Sequence, residues 1–337
     1  AMSTYRSNVD LPTLAARLAE VRSAVVLSHA KPDGDALGSC LAMRRLLARS
    51  GATAAVVLVG PFDPALRSTS SDAIELIDPR ADEAAVRAAL APHDEVEAIV
   101  VVDTGTYPQI EPLAAWVRER RDRTIGIDHH ARGDESLAAH RHVDPSAAST
   151  TEILADLASA MGVAFDDGEP GSLAEAIFMG LATDTGWFRF PSAGARQFAL
   201  AARLLEAGVD KNRLYALLEQ QGRPERLEML GRGLASMTLV PWGGDPRQRF
   251  AVMHLRTADF EATGAASTDV SGLVNEPLSL AGVVASVMLS EPEAGLVRMS
   301  FRSAGAAAVA SGTAACDGAA IDVNELASRF GGGGHVA

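Results

Sequence analysis

The chain has 337 residues, of which 47% are hydrophobic and 22% are charged, and its formal net charge is −13. This length exceeds what one hydrophobic core usually serves, and the composition is that of a folded chain, so two globular domains are expected. The acidic balance argues against long duplex nucleic acid as a partner, because proteins that follow a phosphate backbone usually present a basic surface. Short anionic substrates remain compatible with this net charge, since bound cations can neutralise a local acidic cluster.

The sequence gives no sign of secretion or membrane insertion. The segment before residue 22 carries Asp10, Arg17 and Glu20 and lacks the apolar run that a signal peptide requires. No stretch of about 18 uncharged apolar residues occurs, which argues against a spanning helix. Two cysteines, Cys40 and Cys316, are too few for a disulfide framework. We therefore expect a cytoplasmic protein without membrane contact.

In the first half of the chain, short runs rich in Val and Ile alternate with helical patterns. The runs lack strict polar alternation, as expected for strands buried on both faces of a parallel sheet. Strands are predicted at residues 24–27, 54–59, 98–102 and 124–127. Helices are predicted at residues 36–49, 82–91 and 110–121. Strands that alternate with helices predict a doubly wound, mainly parallel α/β domain.

The second half is mostly helical at first and then contains strands. The predicted helices lie at residues 150–161, 173–181, 195–207, 211–219 and 322–330, the predicted strands at 250–255, 283–289 and 296–301, and a long loop rich in Ala and Gly at 304–320. A turn cluster at 241–246 precedes the first of these strands. The expected organisation is a catalytic domain at 1–190, a helical linker at 191–230 and a smaller α/β domain at 231–337.

The first cluster of chemically informative residues lies between a buried strand and a helix. His29, Asp33 and Asp35 follow the strand at 24–27. In open α/β sheets, ligands bind at the carboxyl ends of the strands, where loops from several strands converge. The alternative is that Asp35 only caps the helix that begins at Ala36.

Two further strands also end in potential metal ligands. Asp103 follows the strand at 98–102, and Asp128-His129-His130 follows the strand at 124–127. A parallel sheet would bring these strand ends together, and Asp184 follows another apolar segment. Carboxylates and imidazoles without a thiolate favour Mn²⁺ or Mg²⁺ over structural zinc, and the histidines favour Mn²⁺. Crowded aspartates would repel one another unless cations neutralised them, so two ions are more plausible than one.

These motifs, in this order, resemble those of the DHH phosphoesterase family, which includes the RecJ exonucleases. The matching residues are His29, Asp33, Asp35, Asp103, Asp128-His129-His130 and Asp184-Thr185-Gly186. The resemblance implies that His29, Asp33 and Asp103 hold one Mn²⁺. It further implies that Asp35, Asp103, His129 and Asp184 hold the second, with Mg²⁺ or Co²⁺ as substitutes and Asp103 bridging both. His130 would bind the phosphate or protonate the leaving oxygen; the alternative is a histidine that only orients its neighbours.

The resemblance extends to the companion DHHA1 domain. That domain carries a strand ending in Arg-Ser and a GGGH motif, matched here by Arg302-Ser303 and by Gly332, Gly333, Gly334 and His335. These residues are implied to bind the substrate. Glycines without a Cβ let backbone amides approach a base or a phosphate closely.

A DHH domain followed by DHHA1 resembles the bacterial nanoRNase/pAp phosphatases. The resemblance implies hydrolysis of short oligoribonucleotides, of 3′-phosphoadenosine 5′-phosphate (pAp), or of both, by a hydroxide that two metal ions activate. The alternative is a cyclic-di-AMP or pApA phosphodiesterase, followed by a manganese pyrophosphatase and a non-catalytic nucleotide-binding regulator. The expected partner is a small nucleotide or short oligonucleotide, and a homodimer is compatible with the sequence.

Overall fold

The computed structural model describes residues 5–60, 62–165, 168–242, 245–304, 321 and 323–329. The chain divides into two compact units, Ala1–Gln221 and Gly222–Ala337. Of the predicted features, the GGGH motif at 332–335 and all of the loop at 304–320 except Ala304 lie outside the described residues, as do both ends of the helix predicted at 322–330.

A six-stranded parallel sheet forms the centre of the first unit. Its strands are β1 (Ser23–Leu27), β2 (Thr53–Val59), β3 (Glu75–Ile77), β4 (Ala98–Val102), β5 (Thr124–Asp128) and β6 (His140–Val143). The spatial order is β3-β2-β1-β4-β5-β6, so the direction of winding reverses between β1 and β4. The predicted doubly wound fold is confirmed. The short outer strands β3 and β6 were not predicted, because three or four residues, polar in part, carry too little periodicity.

Nine helices are described in the first unit, beside three short 3₁₀ segments. They are α1 (Leu11–Glu20), α2 (Gly34–Arg49), α3 (Pro64–Arg67), α4 (Glu83–Leu90), α5 (Ala114–Glu119), α6 (Thr150–Ala160), α7 (Leu173–Asp184), α8 (Ala195–Glu206) and α9 (Lys211–Glu219). Successive strand residues point to opposite faces of the sheet, and both faces are buried. Val26 and Val100 pack in the core that α1, α2, α6 and α7 cover, whereas Val25 and Val101 pack in the core that α4 and α5 cover.

Helices α2, α6 and α7 pack unusually closely. A Cβ atom at Gly38 would lie 2.5 Å from the carbonyl oxygen of Ala176, and one at Gly180 would lie 2.4 Å from Cγ2 of Thr151. Real Cβ atoms do not approach other atoms so closely, so each position requires glycine. The two glycines therefore fix α2 against its neighbours and set the positions of the residues at the helix ends.

Two predicted helices differ from the observed bounds by three residues or more at one end. The helix predicted at 110–121 is shorter and begins at Ala114, after Pro112, since proline has no N–H to donate inside a helix. The helix predicted at 173–181 continues to Asp184, which is its last residue rather than part of a following loop. The hydroxyl of Thr183 donates to the carbonyl of Met179 at 2.9 Å, so the hydrogen bond of this polar side chain is made within the helix.

The second unit contains a mixed four-stranded sheet, which confirms the predicted smaller α/β domain. Its elements are α10 (Pro224–Ala235), β7 (Thr238–Trp242), β8 (Asp245–Leu255), α11 (Thr257–Thr263), β9 (Val283–Glu293), β10 (Leu296–Ser303) and α12 (Val323–Ser328). The order is β10-β9-β8-β7, with only β8 and β9 parallel. Met229, Met253, Phe260 and Met288 belong to its core. None of the helices in the described ranges combines the length and hydropathy needed to cross a bilayer.

Candidate metal centre

The site lies where the winding of the parallel sheet reverses. Strands β1, β4 and β5 are neighbours, and His29, Asp103 and His129 follow their carboxyl ends. Parallel strands place these ends at one edge, and a reversal of strand order opens a crevice there. The order of the strands therefore brings together residues that lie about a hundred positions apart in the sequence.

Asp33 caps helix α2. Its Oδ1 accepts hydrogen bonds from the backbone N of Asp35 at 3.1 Å and of Ala36 at 3.0 Å. The sequence left open that Asp35 caps a helix beginning at Ala36; this alternative was wrong, because the helix begins at Gly34 and Asp33 is its cap. The Asp33 side chain is 61% exposed and therefore accessible to a ligand, and its Oδ1 lies 3.9 Å from His29 Nε2.

Asp35 stabilises the start of a different helix, α6. Its carboxylate accepts hydrogen bonds from the backbone N of Thr150 at 2.7 Å, and from N and Oγ1 of Thr151 at 3.1 and 2.8 Å. Burial raises the pKa of Asp35, although His129 and these hydrogen bonds act in the opposite direction. An ionised carboxylate at this position complements the first N–H groups of a helix.

Asp103 lies at the centre of the site and has an unusual backbone conformation. Its φ angle is 59°, in the left-handed region that aspartate tolerates better than most residues. Its backbone N donates to the carbonyl of Ile127 at 3.0 Å, and its Oδ1 accepts a hydrogen bond from Thr150 Oγ1 at 3.0 Å. The residue is 2% exposed. These contacts fix a buried carboxylate between β4 and β5.

The structure brings all six predicted metal ligands and His130 together. The distance from Asp103 Oδ2 to His29 Nε2 is 3.6 Å, and that from Asp103 Oδ1 to His129 Nε2 is also 3.6 Å. His129 Nε2 lies 3.4 Å from Asp184 Oδ2. Three groups have ligand atoms within 4.8 Å of one another: His29 with Asp33 and Asp103, Asp35 with His129 and Asp184, and Asp103 with His129 and His130.

Hydrogen bonds orient two of the imidazole rings. His29 Nδ1 lies 3.0 Å from the carbonyl oxygen of Ala30, and His129 Nδ1 lies 3.3 Å from that of Ala147. A carbonyl oxygen only accepts hydrogen bonds, so each Nδ1 carries the proton. Each Nε2 then directs its lone pair toward the carboxylates, as a metal ligand does.

The electrostatics of the site favour a bound cation. Burial, and then the charges of Asp35 and Asp33, raise the pKa of Asp103 well above its usual range and that of Asp184 to about 8. The described partners of these carboxylates are histidine rings, backbone amides and threonine hydroxyls rather than arginine or lysine. Carboxylates that repel one another in this way are stabilised by divalent cations, which also accept imidazole ligands. These residues could hold a metal ion.

His130 is oriented by Asp128, which is fully buried. His130 Nδ1 lies 2.7 Å from Asp128 Oδ1, and its backbone N donates to the same oxygen at 3.1 Å. Burial opposes protonation of the ring, but this hydrogen bond and the charge of Asp128 outweigh it and raise the pKa of His130. Sequence reasoning missed one contact of Asp128, a hydrogen bond from the hydroxyl of Tyr5 to Oδ2 at 3.0 Å.

The predicted substrate residues belong to the second unit. Arg302 and Ser303 end strand β10. Arg302 is exposed and donates from Nη1 to the carbonyl of Phe301 at 2.8 Å, whereas Ser303 is buried. Gly332, Gly333, Gly334 and His335 lie outside the described residues.

Comparison with known proteins identifies the family. The pattern of the DHH family, N-terminal domain, matches residues 23–181. The bifunctional oligoribonuclease and PAP phosphatase NrnA of Thermus thermophilus is 30% identical over 329 residues, which cover 95% of this chain and 85% of that protein. The chain belongs to the DHH family of phosphoesterases, hydrolases that act on phosphoester bonds.

Two further relatives show the extent of the similarity. Cyclic-di-AMP phosphodiesterase GdpP of Geobacillus thermodenitrificans is 25% identical over 350 residues, which cover 98% of this chain but 46% of that protein. The crystal structure of an exopolyphosphatase-related protein from Bacteroides fragilis has 26% sequence identity and a TM-score of 0.80, and the match covers 97% of this chain and 88% of that chain. The similarity thus includes both units.

Proposed function

We propose that this protein hydrolyses short oligoribonucleotides, pAp or both with the help of two divalent cations, and that Mn²⁺ is the preferred ion. One observation carries the proposal. The buried carboxylate of Asp103 lies 3.6 Å from a histidine Nε2 on each side, and each of these histidines belongs to a separate group of potential ligands. The similarity to NrnA over 95% of the chain supports the substrate class.

In this proposal each ion has its own ligands and the two share one. His29, Asp33 and Asp103 hold the first ion, and Asp35, Asp103, His129 and Asp184 hold the second. When bound, two such ions lower the pKa of a water nucleophile and neutralise charge on the phosphoryl oxygens. Mg²⁺ and Co²⁺ accept the same oxygen and imidazole ligands and are expected to substitute in part.

His130 is the proposed proton donor. Asp128 accepts a hydrogen bond from its Nδ1, so a protonated ring carries its second proton on Nε2. The hydrogen bond to Asp128 and its charge raise the pKa of His130 against the effect of burial, which favours this protonated form. From Nε2 the ring binds a phosphate oxygen and transfers a proton to the leaving oxygen. Asp103 stays ionised as the shared ligand.

The second unit is proposed to recognise the nucleotide. The guanidinium of Arg302, at the exposed end of β10, suits bidentate binding of a phosphate. Ser303 and the motif Gly332, Gly333, Gly334 and His335 complete the proposed substrate-binding set. These residues distinguish a substrate of nucleotide size from pyrophosphate.

The similarity to GdpP supports a second candidate function, hydrolysis of cyclic-di-AMP or of its linear form pApA. Both candidates use the same metal ligands and differ in the nucleotide that is accepted. A panel of pApA, pAp, cyclic-di-AMP and pyrophosphate, each with Mn²⁺, Mg²⁺ and Co²⁺, separates them. Turnover of pAp at least as fast as that of pApA supports the main proposal, whereas turnover of cyclic-di-AMP or pApA without turnover of pAp supports the second. Faster release of phosphate from pyrophosphate than from any nucleotide would refute both.

Asp103→Asn tests the metal-dependent mechanism. Loss of the shared negative ligand is expected to lower kcat for pApA with Mn²⁺ by at least about 100-fold, as for loss of a central electrostatic group. Asp82→Asn is the matched control, since Asp82 is an exposed helix cap that asparagine replaces well. Undiminished hydrolysis by Asp103→Asn, with activity of Asp82→Asn also unchanged, would refute the mechanism.

A further inference from the structure

The segment at residues 5–9 runs along the outer strand β6. Asn8 N donates to the carbonyl of Arg141 at 3.0 Å, and the hydroxyl of Ser7 both donates to the carbonyl of Val143 at 2.9 Å and accepts from its backbone N at 2.8 Å. The side chain of Asn8 accepts a hydrogen bond from Arg141 N at 2.7 Å. Side chains thus take part in the pairing that a regular strand would make with backbone groups alone. The segment is held in one register, and this register fixes the position of Tyr5.

The ring of Tyr5 occupies a narrow space between two glycines. A Cβ atom at Gly105 would lie 2.4 Å from the ring, and one at Gly133 would lie 2.6 Å from it. Gly105 follows Asp103 by two positions, and Gly133 follows His130 by three. Tyr5 is 4% exposed. The loops that carry the candidate metal ligands and His130 therefore leave room for this ring.

Three side chains form a continuous hydrogen-bonded chain. Tyr5 Oη donates to Asp128 Oδ2 at 3.0 Å, and His130 Nδ1 donates to Asp128 Oδ1 at 2.7 Å. Burial, and then the charge of Asp128, raise the pKa of Tyr5, so its hydroxyl remains the donor. Both oxygens of the fully buried Asp128 are thus engaged. A carboxylate held at both oxygens cannot rotate about its terminal bond without the loss of a hydrogen bond.

We infer that Tyr5 is a positioning residue for His130, and that it acts through Asp128. The inference rests on the proposed function, in which His130 is the proton donor. Groups that hydrogen-bond to the partner of a catalytic side chain fix its orientation, and their loss typically lowers activity without loss of the fold. Tyr5 itself contacts no phosphate or metal in this proposal. It keeps Asp128, and hence the His130 ring, in a single orientation.

The test compares two Tyr→Phe variants in the hydrolysis of pApA with Mn²⁺. Tyr5→Phe keeps the ring between Gly105 and Gly133 and removes only the hydroxyl. Tyr107→Phe is the matched control, because Tyr107 is also buried and its hydroxyl donates to the carbonyl of Ser136 at 2.9 Å. Tyr5→Phe is expected to lower kcat about 10-fold with KM unchanged, whereas Tyr107→Phe leaves both constants unchanged.

A double-mutant cycle with His130→Ala separates positioning from general destabilisation. If Tyr5 acts through His130, Tyr5→Phe causes no further loss of kcat in the His130→Ala background. An equal loss in both backgrounds, or an equal loss in Tyr5→Phe and Tyr107→Phe, overturns the inference. If the wild-type protein hydrolyses pApA and Tyr5→Phe has the same kcat, the inference is wrong but the proposed function stands. A wild-type protein that turns over none of the nucleotides overturns the proposed function as well.

Discussion

His129 and His130 are adjacent in the sequence, yet their hydrogen bonds assign them different roles. The Nδ1 of His129 faces a backbone carbonyl, which leaves Nε2 for Asp103 and Asp184. The Nδ1 of His130 instead faces the carboxylate of Asp128. A neutral imidazole with a free lone pair suits a metal, whereas an imidazole paired with a buried carboxylate suits proton transfer.

This difference leads to a prediction for two alanine variants. His129→Ala is expected to weaken Mn²⁺ binding at least about 10-fold, because it removes a ligand. His130→Ala is expected to keep the Mn²⁺ affinity but to lower kcat about 100-fold, as for loss of a general acid. Calorimetric titration of the metal-free proteins with Mn²⁺, together with steady-state kinetics, measures both quantities. Equal weakening of Mn²⁺ binding in the two variants would place His130 among the ligands instead.

The sequence predicted the residues that gather at the site better than it predicted their supporting contacts. His29, Asp103 and His129 could be found because each follows a buried strand, and parallel strands end at one edge. Tyr5 lies 123 positions from Asp128, and no local pattern connects them. The contact of Asp35 with Thr150 is equally remote. Ser149 caps α6 and Glu152 follows three residues later, so the helix start itself had a recognisable signal.

At the scale of the element, three helices determine the geometry of the site. Asp35 in the first turn of α2 accepts hydrogen bonds from the start of α6, the side chain of Thr150 at the start of α6 contacts Asp103, and α7 ends at Asp184. Any displacement of one helix along another would separate candidate ligand atoms that now lie within 4.8 Å of one another. The close packing at Gly38 and Gly180 opposes such displacement.

Gly180→Ala tests this packing. Alanine is the better helix former, but its Cβ would lie 2.4 Å from Thr151 Cγ2 and 2.5 Å from Asp35 Oδ1. We expect the free energy of unfolding to fall by about 1–3 kcal/mol, as for other overpacked cores, and Mn²⁺ affinity to fall with it. Denaturant unfolding and Mn²⁺ titration measure the two effects.

Gly231→Ala in α10 is the matched control. Gly231 is exposed within the helix, and its added Cβ would meet nothing within 4 Å. The same substitution should therefore stabilise this helix by up to about 1 kcal/mol. If both substitutions raised the free energy of unfolding, the space at Gly180 would accept a Cβ atom, and the packing argument would be wrong.

The elements themselves were predicted unevenly, for physical reasons. The strands at β1, β2, β4 and β5 are continuous apolar runs, so the predicted bounds were right to within one residue. Helix α1 was not predicted, although Asp10 caps it and Leu14 and Leu18 are buried on one face. β6 contains two histidines and an arginine, and it is a strand because it pairs with β5. Pairing of this kind depends on tertiary contacts that local sequence does not encode.

At the scale of the whole molecule, the candidate metal centre couples stability to pH. Burial chiefly raises the pKa of Asp35, Asp103 and Asp184, that of Asp184 to about 8. In the metal-free protein the folded state thus binds more protons than the unfolded chain, whose aspartates have a pKa of about 3.9. The free energy of unfolding therefore decreases as pH rises from about 4 to 8.

Thermal unfolding between pH 5 and 8 checks this expectation. The Tm of the metal-free protein should fall across this range, and saturating Mn²⁺ should reduce or reverse the fall, because metal binding favours ionised carboxylates. Asp184→Asn should flatten the curve of the metal-free protein, whereas Asp82→Asn should keep the wild-type slope. Parallel curves for wild type and Asp184→Asn would contradict the assignment of the effect to this site.

The segment at 5–9 has a consequence beyond Tyr5. Strand β6 lies at one end of the six-stranded sheet, where unpaired backbone groups could recruit a strand of another molecule and start aggregation. The hydrogen bonds of Ser7 and Asn8 occupy carbonyl and amide groups of Arg141 and Val143. At the opposite end, β3 has only three residues, which offers little length for pairing. The segment that brings Tyr5 to Asp128 thus also covers the edge of β6, and a covered edge offers fewer groups for pairing with another molecule.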